Sequence, residues 1–146
     1  MIRIEPITEQ NFYQAVWVYT DAWRESHKEI CTPEFLENRD YSGYLRKAMD
    51  SLYLISDEEP VGVFRLFGDL LSDLYIRPDR TGRGYGTECI RYALEQSRHV
   101  RLTVLSSNHR AIHLYQKLGF RFTGADIPLK NQLWEREMIY TENHNG

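Results

Sequence analysis

Leu74-Tyr75-Ile76-Arg77-Pro78-Asp79-Arg80-Thr81-Gly82-Arg83-Gly84-Tyr85-Gly86-Thr87 decides the fold of this chain. An apolar strand end runs into a proline turn, then into three glycines at alternate positions, then into an amphipathic run. Glycine lets the backbone approach a ligand closely and turns successive amides toward it. A helix starting at that point adds its free N–H groups and the positive end of its dipole. Arg77, Arg80 and Arg83 outweigh Asp79, so the natural guest is a phosphate or pyrophosphate. A Walker loop would need lysine before the threonine, and Gly86-Thr87 has none. A dinucleotide fingerprint would need G-x-G-x-x-G in a parallel βαβ unit, whereas this pattern is G-x-G-x-G.

Outward from the loop, the chain alternates strands and helices. Ile2 and Ile4 alternate with Arg3 and Glu5 in a short strand stopped by Pro6. Thr8 is a candidate helix cap, and Phe12, Ala15, Val16 and Tyr19 recur at helical spacing. Residues 21–50 read as helical with a break near Cys31-Thr32-Pro33. Strands are expected at 52–56, 61–67 and 70–76, around turns at Asp57-Glu58-Glu59-Pro60 and Gly68-Asp69. This is an antiparallel meander. After Gly86, Cys89, Ile90, Ala93, Leu94 and Ser97 share a helix face. Val100–Leu105 reads as a buried strand. A helix follows over 109–118, with Ala111, Leu114, Tyr115 and Leu118 inward and Gly119 at its C′ position. Strands over 120–123 and 133–141 are joined by a loop holding Pro128. Residues 143–146 are an expected frayed tail. The order predicts an α/β fold of the α+β type: a mixed, mostly antiparallel central sheet flanked by helices. Residues 70–105 should contribute one parallel strand pair.

A length of 146 residues suits one domain over the whole chain, and 42% hydrophobic residues can fill a core. The net charge of -3 gives no basic excess for nucleic acid. Residues 1–50 hold six Lys/Arg against nine Asp/Glu, while the rest is balanced. Cys31 and Cys89 lack CxxC spacing, so neither a disulfide framework nor a zinc site is indicated. His109 and His113, four apart, do not make a metal site alone. The N-terminus has no signal-peptide run and no stretch nears the roughly 18 apolar residues of a membrane span. A cytoplasmic protein with no membrane partner is expected.

The second motif is Asn108-His109-Arg110-Ala111-Ile112-His113-Leu114-Tyr115-Gln116-Lys117-Leu118-Gly119-Phe120. With the glycine loop it resembles the GNAT superfamily of N-acetyltransferases, closely over residues 70–120 and loosely over the whole chain. In that family a strand and a proline precede [Gln/Arg]-x-x-Gly-x-[Gly/Ala]; here the Gln/Arg position is Thr81, with Arg80 and Arg83 as candidates to compensate. The resemblance implies that acetyl-CoA is the acetyl donor. Its pyrophosphate would lie on the amides of Thr81, Gly82, Arg83, Gly84, Tyr85, Gly86 and Thr87. Its pantetheine arm and acetyl carbonyl would lie along Tyr75 and Ile76. Asn108, with Ala111, would contact the arm, and the Tyr115 hydroxyl would protonate the leaving thiolate. Relatives that pair through late strands or helices make a homodimer a further expectation.

The implied reaction is transfer of the acetyl group to a primary amine of a small molecule or protein, by direct attack. A protonated amine cannot attack, so a base is needed. Asp73, three residues before Ile76 and expected on one face with Leu71 and Tyr75, is the candidate. A remote base, or none, is the other reading, with His27 near the acceptor side. Cys89, inside an amphipathic helix with no base, is a poor nucleophile. The acceptor site is expected between residues 17–45, the strand at 62–75 and the loop at 124–133. Asp21, Glu25, Glu29, Glu34, Trp17, Trp23, Tyr41 and Tyr44 are candidates to line it for a cationic amine. The alternative is a non-catalytic module that binds acyl-CoA without turnover.

Overall fold

The computed structural model describes residues 1–141; the expected frayed tail lies outside them. The strands are β1 (Ile2–Pro6), β2 (Leu52–Asp57), β3 (Glu59–Phe67), β4 (Leu70–Ile76), β5 (His99–Leu105), β6 (Arg121–Pro128) and β7 (Trp134–Thr141). The helices are α1 (Phe12–His27), α2 (Pro33–Asn38), α3 (Tyr41–Lys47), α4 (Tyr85–Gln96) and α5 (His109–Lys117). The strands form one sheet in the order β1-β2-β3-β4-β5-β7-β6. Every neighbouring pair is antiparallel except β4 and β5. The mixed, mostly antiparallel sheet with flanking helices is therefore the fold of this chain. No helix among the described residues is long and apolar enough to cross a membrane.

Apolar side chains leave the two faces of the sheet into separate clusters. On one face, Tyr85, Cys89, Ile90 and Ala93 of α4 and Tyr115 of α5 meet Phe64, Leu71, Leu102, Val104 and Met138. On the other, Phe12, Ala15 and Tyr19 of α1 and Tyr41 and Leu45 of α3 meet Leu52, Leu54 and Val63. Both clusters are sealed: Phe64, Leu45, Cys89 and Met138 have no exposed surface. Burial at this density supplies most of the driving force for folding.

Several boundaries differ from those the sequence suggests. Thr8 is not the cap of α1; the N-cap is Asn11, whose Oδ1 accepts from the Thr8 amide at 2.7 Å. Glu58 alone makes the β2–β3 turn at a φ of 68°, so β3 starts at Glu59 and carries Pro60 where the β2–β3 register shifts. Proline is tolerated there because a bulge needs no ladder donor. Ser97 does not join the α4 face; it is extended and caps the helix through its amide, 3.0 Å from the Ala93 carbonyl. Residues 124–128 are strand, not loop: β6 runs to Pro128 because its pairing with β7 shifts register between Phe122 and Asp126.

Candidate active site

β4 and β5 touch only at Leu70–Arg101 and Leu71–Leu102. Beyond that point β5 stays with β7 and β4 stays with β3, so the sheet opens between them. The cause is in β4. Val63 pairs with Tyr75 and Arg65 with Ser72, leaving two residues of β4, Asp73 and Leu74, opposite Phe64 alone. Asp73 takes up the extra residue with a φ of 51°. This is a β-bulge, which bends the strand and re-aims a side chain.

The bulge corrects one expectation. Leu71 and Tyr75 do not share a face with Asp73 between them; Leu71 belongs to the α4–α5 cluster and Tyr75 packs on the α1–α3 cluster. Asp73 instead reaches α3, where the Tyr44 hydroxyl donates to its Oδ2 at 2.5 Å. Burial and that bond push the Tyr44 phenol up to about 12, so it remains a donor at neutral pH.

Two cavities flank the opening. The first, about 590 Å³, is lined by Leu74, Tyr75, Ile76, residues 81, 82 and 84–87, Asn108, Ala111 and Tyr115. Of the twelve residues the motifs single out for the donor, all but Arg83 line it. Gly82 and Gly84 sit at φ of 79° and 85°, a region open to glycine at little cost. No amide of residues 81–87 donates to a described residue, and α4 has no side-chain cap. These orphan donors, at the N-terminus of a twelve-residue helix, fit a pyrophosphate.

The cationic side chains are distributed differently from the sequence reading. Arg80 is paired with Glu59, which also takes Arg77 at 3.0 Å, and Arg77 reaches Asp79 at 2.8 Å. Arg83 is exposed and outside the groove. Arg110 is the cation that stands over the loop: a Cβ on Gly82 would lie 2.4 Å from its Nη2. It sits in the first turn of α5, two residues after Asn108, and that sequence proximity to the second motif is the signal for it.

Asn108 caps α5 by accepting from the Ala111 amide at 3.2 Å, and its Nδ2 donates to no described residue. Tyr115 is buried, and burial pushes its phenol up to about 12. Its hydroxyl has no partner among the described residues and is not sealed from solvent, so it opens on the cavities.

The second cavity, about 510 Å³, is lined by Trp23, His27, Ile30, Cys31 and Phe35, by residues 71–75 of β4 and 102–105 of β5, and by Leu129, Lys130 and Glu135. Ser26, Leu74, Tyr75, Asn108 and Tyr115 line both cavities. The two spaces thus share one wall at the opening of the sheet.

Most of the expected acceptor set lies elsewhere. Asp21, Glu25, Glu29 and Glu34 are exposed and none lines the second cavity. Trp17 lies under Arg77. Tyr41 and Tyr44, with Tyr19 and Trp23, enclose the Arg39 guanidinium at 4.1–5.5 Å from their rings. That aromatic box is filled by the chain's own cation and offers no room for a substrate ammonium. Of the eight, only Trp23 remains on the cavity wall. The expected segments 17–45, 62–75 and 124–133 do each reach this wall, through His27, Ile30, Cys31 and Phe35, residues 71–75, and Leu129 and Lys130, with β5 completing it.

Among the described residues no group of three or more His, Cys, Asp or Glu gathers around a metal position. Cys89 is sealed, and burial pushes its thiol upward.

Comparison with known proteins agrees with this geometry. The profile described as Acetyltransferase (GNAT) family matches residues 12–120. The peptidyl-lysine N-acetyltransferase YjaB of Salmonella typhimurium is 32% identical over 83 residues, 57% of each chain. The streptothricin acetyltransferase of Streptomyces lavendulae is 34% identical over 64 residues, 40% of this chain and 34% of its own. The matched region thus spans about half or less of these curated relatives. Among solved structures, apo YjaB from Escherichia coli superposes with a TM-score of 0.74 at 21% identity, covering 98% of this chain and 99% of that one. The PaiA N-acetyltransferase of Thermoplasma acidophilum, solved with coenzyme A, gives 0.71 at 16% identity, covering 97% and 99%. A family profile over most of the chain, on a sheet that opens beside a glycine loop of unpaired amides, has one reading: the chain belongs to the GNAT acetyltransferase family.

Proposed function

We propose that this protein transfers the acetyl group of acetyl-CoA to a primary amine by direct attack on the thioester, and that the amine is a lysine side chain of a peptide or protein. The observation that carries this reading is the shared wall of Leu74, Tyr75, Asn108 and Tyr115 between the two cavities. A donor in one cavity and an amine in the other would meet there without a covalent relay. The relatives named as peptidyl-lysine acetyltransferases support the lysine. So does the largely apolar wall of the second cavity, which suits an aliphatic chain with a charged tip.

The residues divide the work. The free amides of residues 81–87 and Arg110 hold the pyrophosphate. The unpaired edge of β4 at Tyr75 and Ile76 holds the arm and polarises the thioester carbonyl. Asp73, anchored by Tyr44, draws the ammonium. Tyr115 stays protonated at neutral pH and donates to the departing sulfur.

The test is thiol release from acetyl-CoA with an Nα-blocked lysine peptide, a peptide with a free N-terminus, spermidine and streptothricin. Release with the lysine peptide above the others is the expected result. Release with streptothricin alone moves the acceptor to a small molecule. Calorimetric binding of acetyl-CoA with no release from any amine makes the protein a binding module and ends the catalytic reading.

A further inference from the structure

We infer that the proton of the incoming ammonium is taken by Nε2 of His27, the last residue of α1, while Asp73 holds the charge in place. The inference rests on the acetyl-transfer reading above.

The geometry fixes which ring nitrogen is the base. His27 Nδ1 lies 3.0 Å from the Trp23 carbonyl oxygen, one helical turn back, and 2.8 Å from Ser26 Oγ. A carbonyl only accepts, so Nδ1 carries the hydrogen. Ser26 Oγ donates its own hydrogen to the same carbonyl at 3.1 Å and can accept from Nδ1. The neutral ring therefore keeps its lone pair on Nε2. Nε2 has no partner among the described residues, and it is not sealed from solvent. The ring lines the second cavity, so its free nitrogen meets open space.

The ring is also held in place. It stacks on the Trp23 indole at 3.7 Å between centroids and 7° between planes, and it lies 6.1 Å from the Tyr75 ring on the shared wall. Helix, indole and backbone bond together fix the direction of Nε2. That preorganisation is what a base needs before a substrate arrives.

The surrounding charges keep the ring neutral. Burial holds His27 below the ordinary imidazole range against the opposing pull of the Trp23 carbonyl, and the Arg39 guanidinium adds a smaller push the same way. Across the cavity stand Asp73 and Tyr75 of β4, Glu135 of β7, Lys130 of the β6–β7 hairpin and Cys31 of the turn after α1. On its own helix Lys28 is spent on Glu25 at 2.6 Å. Asp73 receives the Tyr44 proton donor at 2.5 Å and suits holding a cation. A neutral imidazole with its lone pair free on Nε2 is the better proton acceptor.

The step balances. The ammonium gives one proton to Nε2, leaving a neutral amine and an imidazolium. The amine nitrogen forms a bond to the acetyl carbon, and the carbon–sulfur bond breaks. The second proton lost by that nitrogen ends on the sulfur through Tyr115, giving the amide and a free thiol. The imidazolium releases its proton to water.

The experiment is a pH–rate profile of wild type and His27→Gln, using the amine of the four-member panel that wild type turns over fastest. Wild type should lose kcat/KM on the acid side, with a midpoint below 6.5. His27→Gln should lose about 100-fold at neutral pH and lose the acid limb as well. Acetyl-CoA affinity should stay within about twofold, since the ring lines only the acceptor cavity. An acid limb that persists in the variant overturns the inference and leaves acetyl transfer standing; silence of wild type with every amine overturns both. A nitrogen-15 NMR titration of the wild-type histidines needs no turnover. It should show His27 as the Nδ1–H tautomer, and an Nε2–H tautomer overturns the inference even if the variant does not fold.

Discussion

Tyr115 is where sequence pattern and local environment converge on one atom. Burial raises its phenol to about 12, while its hydroxyl opens on both cavities without a partner among the described residues. Deleting that hydroxyl removes a donor and breaks no internal bond. Tyr115→Phe should therefore melt like wild type, bind acetyl-CoA as tightly, and turn over at least about tenfold more slowly. Unchanged turnover would remove Tyr115 from the reaction. The position of Tyr115 was legible because a helix repeat and a following Gly-Phe locate it in one dimension. Arg110 and His27 were not legible in the same way. Arg110 is placed over Gly82 by the meeting of two segments, and His27 gains its role from Trp23 and Arg39, whose arrangement no linear spacing records.

The elements explain why the boundaries read from sequence hold in the middle and slip at the edges. Strands β2, β4 and β5 and helices α4 and α5 follow hydrophobic periods that packing on the two core clusters reinforces. The bulge at Asp73 escapes such a reading because one inserted residue changes the period without changing composition. The glycine loop gives a sharper test of its own design. Gly82 and Gly84 both lie at positive φ, so alanine at either costs about 1–2 kcal/mol of backbone strain. Only at Gly82 would the added carbon also displace Arg110; at Gly84 it meets nothing within 4 Å. Calorimetry should find acetyl-CoA weakened more by Gly82→Ala than by Gly84→Ala. Equal losses would show that Arg110 has no part in holding the donor.

At the scale of the molecule, the fold class was readable because the glycine loop follows β4 and α5 follows β5, the two strands that part at the opening. The second cavity was readable by segment, since residues 17–45, 62–75 and 124–133 all contribute to its wall, but not side chain by side chain, and β5 joins them. These segments are far apart in the chain, and their side chains share no common period. The wall between the two cavities also has a kinetic consequence. Each cavity has its own lining, only five residues are common, and the sulfur of Cys89 is sealed. If the amine attacks directly across that wall, as proposed, both substrates must be present at once; the thiol that could carry an acetyl group instead is Cys31, on the second cavity's wall. Initial-rate plots at several fixed amine concentrations should give intersecting lines, and parallel lines would require an acetylated enzyme. A single molecule that joins coenzyme A to the amine through one acetyl carbon would then span both chambers and bind more tightly than either half.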